Sequence, residues 1–297
     1  MNDFHLKRDN YLKKIKAYIV RMPSLSTTVV KVLETCNNPQ ASANDLKRVI
    51  SLDPVLTGRV LRLINSAYFS LGKPTTSLTR AIIMLGVNTV KNLALSFTIL
   101  DNLKDQGSCK SFSADEFWRH SLCVGVVAKL IANFKGLSGT GQEEYFVAGL
   151  LHDLGKLPLR SQFPEAYYRV CGNVNSGQRA LYVNECRSLG IDHGTVGSII
   201  AEKWRLGSTL VDSLSYHHSP GDASDKNFEF VSSVELANQL SLHLNIGNAG
   251  DHFVDHSKTT LLMGELGLDR EILTDIQSTV PGEIERAKLF LEVAQNG

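Results

Sequence analysis

Apolar residues recur at helical spacing almost throughout the chain, and no run shows the strict alternation of a half-buried strand. Tyr11, Ile15, Tyr18 and Ile19 share one helical face that ends near Met22-Pro23, and Val29, Val30, Val32 and Leu33 make a second. Ser42-x-x-Asp45 marks a helix start feeding Leu46, Val49 and Ile50. Asp53-Pro54 marks another: a carboxylate able to cap free N–H groups, then a proline suited to the first helical position. It opens PVLTGRVLRLINSAYF, with Val55, Leu56, Val60, Leu61 and Ile64 along a broad stripe. Ser77 to Leu85 predicts a short helix stopped at Gly86, and Val87 to Leu103 a longer one. The polar segment Lys104 to Ser113 contains Gly107 and Ser108 and is the expected boundary between regions 1–105 and 106–297. Ser113 to Asn133 then reads as a long helix, GLSGTGQ as a flexible connection, and Glu143 to Leu154 as a helix ending at Gly155. Helical patterns return at 164–174, 178–188, 193–205, 208–218, 227–244 and 269–295. The predicted fold class is all-α.

Composition changes this picture little. A hydrophobic fraction of 43% and a charged fraction of 21% are ordinary for a globular protein. No apolar run approaches the roughly 18 residues that cross a bilayer, and the opening MNDFHLKRDNYLKK lacks the apolar core of a signal peptide. A cytoplasmic protein without membrane contact is expected. Five cysteines without C-x-x-C spacing argue against a disulfide framework or a thiolate zinc site and predict free thiols. Charge is uneven: residues 1–105 hold 15 Lys and Arg against 7 Asp and Glu, the remainder 16 against 23. No stretch joins dense basic residues to aromatics as a nucleic-acid surface does, so two regions of opposite sign that pack together are the preferred reading. Nucleic-acid binding through the basic half is the most remote alternative.

The chemistry gathers in the second region. His120 lies within a helix in EFWRHS, and His152-Asp153 at a helix end in AGLLHDLGKLPL. His193 lies at a helix start in IDHGTVGS, and His217-His218 at a helix end in SYHHSP. Helices packed side by side can converge such side chains on one internal point. Imidazole with carboxylate suits Fe, Mn, Zn or Ni better than Mg or Ca. Each histidine alone is more simply a surface or core residue, and His217-His218 could complement a helix C-terminus. Their joint occurrence raises the odds of a site. Asp251-His252 and Asp255-His256 give a zinc-compatible spacing, but they stand in the polar stretch GNAGDHFVDHSK and are expected on a surface loop or helix start. The glycines at 136–141 follow no strand and precede no P-loop lysine.

The order His120, His152-Asp153, His193, His217-His218 resembles the HD superfamily of metal-dependent phosphohydrolases, nearest its HD-GYP and HDOD branches. LLHDLGK is close to the HD-GYP pattern. MPSLSTTVVKVLE, ISLDPVLTGRVLRLINSAYF and TSLTRAIIMLGVNTVKNLAL are strongly similar to HDOD domains. The HDOD resemblance covers roughly residues 15–215 and is the more specific. It implies a multi-helix HD-type bundle at 106–297 with an additional N-terminal helical subdomain. It also implies His120, His152 and Asp153 as ligands of one metal, and Asp153, His193, His217 and His218 as ligands of a second, with Asp153 bridging. Asp153 would then be catalytic, and Lys156 matches a lysine that contacts substrate phosphate in the HD-GYP branch. Glu116, four residues before His120, matches a glutamate supporting a third ion in some HD-GYP proteins, although Ser113-x-x-Glu116 reads more simply as a capping box.

Two departures weigh on these expectations. Where the family places its final Asp, SSVELANQL offers Asn238, a neutral and poorer ligand. After His218 comes SPGDASDKNF, with no GYP motif. The expectation is a bacterial signalling or regulatory HDOD module that holds one or two divalent transition metal ions and binds a phosphate-containing small ligand or a signalling protein. The alternative is an active phosphohydrolase on a nucleotide or cyclic dinucleotide.

Overall fold

A computed structural model describes residues 2–36, 38, 40–66, 75–102, 112–137, 139–177 and 179–295, and among these every regular element is helical. Helices α1 (Asn2–Arg21), α2 (Thr27–Cys36), α3 (Ala43–Ile50), α4 (Pro54–Ile64), α5 (Leu78–Leu85) and α6 (Val87–Asn102) make the N-terminal part. Their starts follow the sequence. Ser42 and Asp45 form a reciprocal capping box. The Asp53 carboxylate accepts the Leu56 N–H at 2.9 Å, and the Ser77 hydroxyl accepts the Arg80 N–H. The α4 stripe is narrower than its pattern: Leu56, Val60, Leu63 and Ile64 are buried, whereas Val55 faces solvent. At Gly86, where φ is +84°, the chain bends by 108° from α5 into α6. Among the described residues no single helix is long and apolar enough to cross a membrane.

Helix α7 (Ala114–Phe134) is capped by Ser113 and buried along most of its length. Helix α8 (Gly139–Leu151) packs on it so tightly that a Cβ at Gly149 would stand 2.8 Å from Gly125 Cα. Only glycine permits that approach. The glycine-bearing connection is shorter than expected, because α8 begins at Gly139 rather than Glu143. The apolar continuity of AGLLHDLGKLPL also hides a break: α8 ends at Leu151, residues 152–155 turn, and α9 (Lys156–Gln162) follows. His152-Asp153 therefore occupies a turn between helices.

Next come α10 (Pro164–Gly177), α11 (Leu181–Leu189), α12 (His193–Lys203), α13 (Ser208–Tyr216), α14 (Phe228–His243), α15 (His256–Leu266) and α16 (Arg270–Gln295). Helix α15, absent from the periodic pattern, starts at Asp255, whose carboxylate accepts the Lys258 N–H. One hydrophobic core runs from Ile15 to Val293. Helix α1 packs on α9 and α12, and α16 returns against α4, α6 and α7. Lys203, at the end of α12, donates to the carbonyls of Val20 at 3.1 Å and Met22 at 2.6 Å. It thereby satisfies carbonyl groups that the end of α1 leaves open. The expected domain boundary lies almost wholly outside the described residues, as does Cys109; Cys36, Cys123, Cys171 and Cys186 are free thiols.

Candidate metal centre

Four pieces of chain deliver the proposed ligands to one point. His120 comes from the middle of α7, His152 and Asp153 from the α8–α9 turn, His193 from the first residue of α12, and His217-His218 from just beyond α13. The turn is pressed against α12: a Cβ at Gly155 would stand 2.0 Å from the His193 carbonyl oxygen. That contact brings Asp153 to His193. All these side chains are essentially buried except His218, which keeps 11% of its side-chain surface.

Asp153 is the hub. Its Oδ2 lies 3.2 Å from His152 Nε2, 3.6 Å from His120 Nε2 and 2.6 Å from Lys156 Nζ. Its Oδ1 lies 3.3 Å from His193 Nε2 and 3.8 Å from His217 Nε2. Two overlapping clusters result, one of His120, His152 and Asp153, the other of Asp153, His193, His217 and His218. Burial works against the Asp153 charge, but His152 and Lys156 outweigh it and hold the carboxyl well below its usual range. Burial drives the His120 imidazole down to about 3 and holds His217 and His218 well below the ordinary histidine value, the latter two helped by neighbouring imidazoles. Those three rings are neutral, the form that binds metal.

Outer hydrogen bonds fix which nitrogen three of the rings present. His152 Nδ1 donates to the Gly149 carbonyl at 2.7 Å, and His217 Nδ1 to that of Ser213 at 3.1 Å. Glu185 accepts from His193 Nδ1 at 2.6 Å, from the His193 backbone N–H at 2.8 Å and from the Tyr167 hydroxyl. Its charge outweighs burial and raises the basicity of His193. Glu235 lies 3.5 Å from His218 Nδ1, and Lys258 holds that carboxylate at 2.8 Å. Nε2 of His152, His193 and His217 therefore turns inward, whereas His218 Nδ1 is buried without a hydrogen-bond partner. His193 Nε2 stands 3.2 Å from His217 Nε2 and 2.9 Å from His218 Nε2.

This donor set fits a transition metal. Where His193 Nε2 faces the Nε2 atoms of the neutral His217 and His218 rings, the lone pairs repel unless a cation or proton lies between them. His152 Nε2 and Asp153 Oδ1 are buried without any hydrogen-bond partner. Ligands bonded at about 2.0–2.1 Å in a tetrahedron stand roughly 3.3 Å apart, close to the spacings observed.

The remaining sequence expectations divide. Lys156 lies at the start of α9, 2% exposed, with its ammonium on Asp153. Asn238 reaches the site where the resemblance places an Asp, in hydrogen-bonding contact with His120. Glu116 stands apart from both clusters: its carboxylate pairs with Arg119 at 2.8 Å and its N–H donates to Ser113 Oγ. His252 and His256 are exposed and belong to neither cluster, and Asp255 caps α15. Asp251 corrects the expectation of a surface group, for it is buried and accepts the backbone N–H of Leu181 at 2.9 Å and of Phe253 at 3.0 Å. Sequence reasoning missed Glu185 and Glu235. Both fall on buried helix faces, Glu185 with Leu181, Asn184 and Leu189, Glu235 with Val231, Val234 and Asn238. A carboxylate on an otherwise apolar stripe was the available signal.

Comparison with known proteins gives the family and the fold. The family model described as "HDOD domain" matches residues 22–220. A solved HDOD domain protein of unknown function from Geobacter sulfurreducens is 25% identical, with a TM-score of 0.77 over 95% of this chain and 98% of that one. A candidate phosphohydrolase from Shewanella amazonensis SB2B shares the fold at 21% identity, with a TM-score of 0.70 over 93% of this chain and 97% of that one. An uncharacterized protein from Treponema pallidum (strain Nichols) is 23% identical over 220 residues, 73% of this chain; the match spans 41% of that relative's length.

Proposed function

Because the chain belongs to the HDOD family, we propose that it is a regulatory HDOD module whose second region holds a divalent transition metal ion between Asp153, His193, His217 and His218. The observation that carries this reading is the convergence of three Nε2 atoms beside Asp153 Oδ1, which has no hydrogen-bond partner. When bound there, the metal would act as a Lewis acid or lower the pKa of a water. The chain's own residues orient three of the rings: Glu185 sets His193, and backbone carbonyls set His152 and His217.

The Oδ2 side of Asp153 is less suited to a second ion. The Lys156 ammonium sits on that oxygen at 2.6 Å, and Asn238 adds no charge. Lys156 in this position neutralises Asp153 rather than reaching outward to a substrate phosphate. One observation favours hydrolysis as a second reading: His120 and His152 remain beside Asp153, and His152 Nε2 has no partner. A displaced Lys156 would open a two-ion site.

Elemental analysis separates the two. The regulatory reading expects about one equivalent of Fe, Mn, Zn or Ni, lost in Asp153→Ala, with no turnover of phosphomonoesters, nucleotides or cyclic dinucleotides. About two equivalents, with turnover lost in Asp153→Ala, would establish the phosphohydrolase. Wild-type protein that retains no metal under any loading condition would overturn both.

A further inference from the structure

The metal cluster is closed to solvent except at His218, and a cleft stands beside that edge. It encloses about 200 Å³ and is lined by Arg179, Tyr182, Val183, Gln239, Phe253 and Lys258. Its inner wall consists of the groups that back His218. The Tyr182 ring stacks on His218 with centroids 4.3 Å apart and planes inclined at 16°. Lys258 Nζ donates to the His218 carbonyl at 2.8 Å and reaches Glu235 at the same distance. Gln239 donates to Glu235 and accepts the Asp255 N–H.

We propose that this cleft binds a small phosphate monoester carrying one flat ring, with the phosphate between Arg179 and Lys258 and the ring against Tyr182, Val183 and Phe253. The cationic side follows from its residues. Arg179 is exposed on the α11 approach, and an arginine fork matches phosphate oxygens in geometry as well as charge. An ammonium carries three N–H donors, and Lys258 gives two of them to Glu235 and His218, which leaves one. Asp255 also borders the cleft, but its carboxylate accepts the Lys258 backbone N–H at 2.9 Å and serves the start of α15. The rest of the lining is half-buried and largely apolar, formed by Tyr182, Val183 and Phe253, with the Lys258 ammonium 5.7 Å from the centre of the Tyr182 ring. Small-molecule sites combine these features: an apolar wall and a few placed polar groups. The volume suits one ring and one phosphate.

The position beside His218 rests on the metal reading given above, whereas the cleft's lining does not. The test uses phenyl phosphate, inorganic phosphate and phenol as probes, titrated calorimetrically into the full chain, with metal content measured in parallel. Phenyl phosphate should bind about tenfold or more tightly than either fragment, and Arg179→Glu should weaken it by about tenfold or more, the range set by a charge-assisted hydrogen bond. Val183→Trp, which fills the cleft from a half-buried position, should weaken it similarly. Both variants should keep the wild-type metal content, since neither residue touches the cluster. Phenyl phosphate no tighter than inorganic phosphate, or unchanged in both variants, overturns the proposal and leaves the metal reading standing. Arg179-dependent binding to a protein that retains no metal supports the cleft and removes the metal reading instead.

Discussion

Asp153 gathers two kinds of neighbour around one buried turn, imidazoles and an ammonium. The histidines around it work only if their rings are held, and Glu185 is the strongest such hold, accepting three hydrogen bonds while wholly buried. Loss of an outer partner of this kind costs about 10–100-fold in metal affinity. Glu185→Gln should show that loss in competition with a chromogenic chelator, while Glu116→Gln, whose carboxylate pairs with exposed Arg119, should match wild type. The clustered residues were legible as candidate ligands because histidines and an aspartate at helix ends form an ordered pattern along the chain. Glu185 was not, because nothing local distinguishes a buried glutamate from one on a solvated face. Only the Leu181, Asn184, Glu185, Leu189 spacing, read as one stripe, reveals it.

At the scale of elements, capping chemistry was the most readable part of the sequence. Ser42, Asp53, Ser77 and Ser113 each cap the helix expected of them, since an N-cap is decided by residues within three positions. The α8–α9 break was hidden for the opposite reason. Leu150, Leu151, Leu154 and Leu157 are all buried, so their spacing continues a helical stripe across a turn fixed by packing on α12. Gly155 makes that packing possible. Its backbone dihedrals are ordinary helical values, so the requirement is for space alone. Gly155→Ala should cost about 1–3 kcal/mol in a denaturant titration, the range for overpacking a filled interior. It should also weaken metal retention, because α12 must withdraw and take His193 with it. Unchanged stability would show that the His193 carbonyl gives way freely.

Across the whole molecule, one hydrophobic core joins the described residues from Ile15 to Val293, with Lys203 fastening α12 to the end of α1. Anything that binds the folded state alone raises its stability by mass action, by about 2.7 kcal/mol when the free ligand is a hundredfold above its Kd. Metal removal by a chelator should therefore lower the thermal midpoint, and readdition should restore it; Asp153→Ala should respond to neither. The order in which these events occur follows from where the ligands lie. His120 and His218 are nearly a hundred residues apart in the chain, and no short segment holds a complete set. A peptide searching for its fold thus has nothing to offer an ion until α7, α12 and α13 have already met, and loop closure over such spans comes late. An ion held there would be a latch, not a seed: refolding should run at the same rate with or without it, and its presence should be felt as slower unfolding.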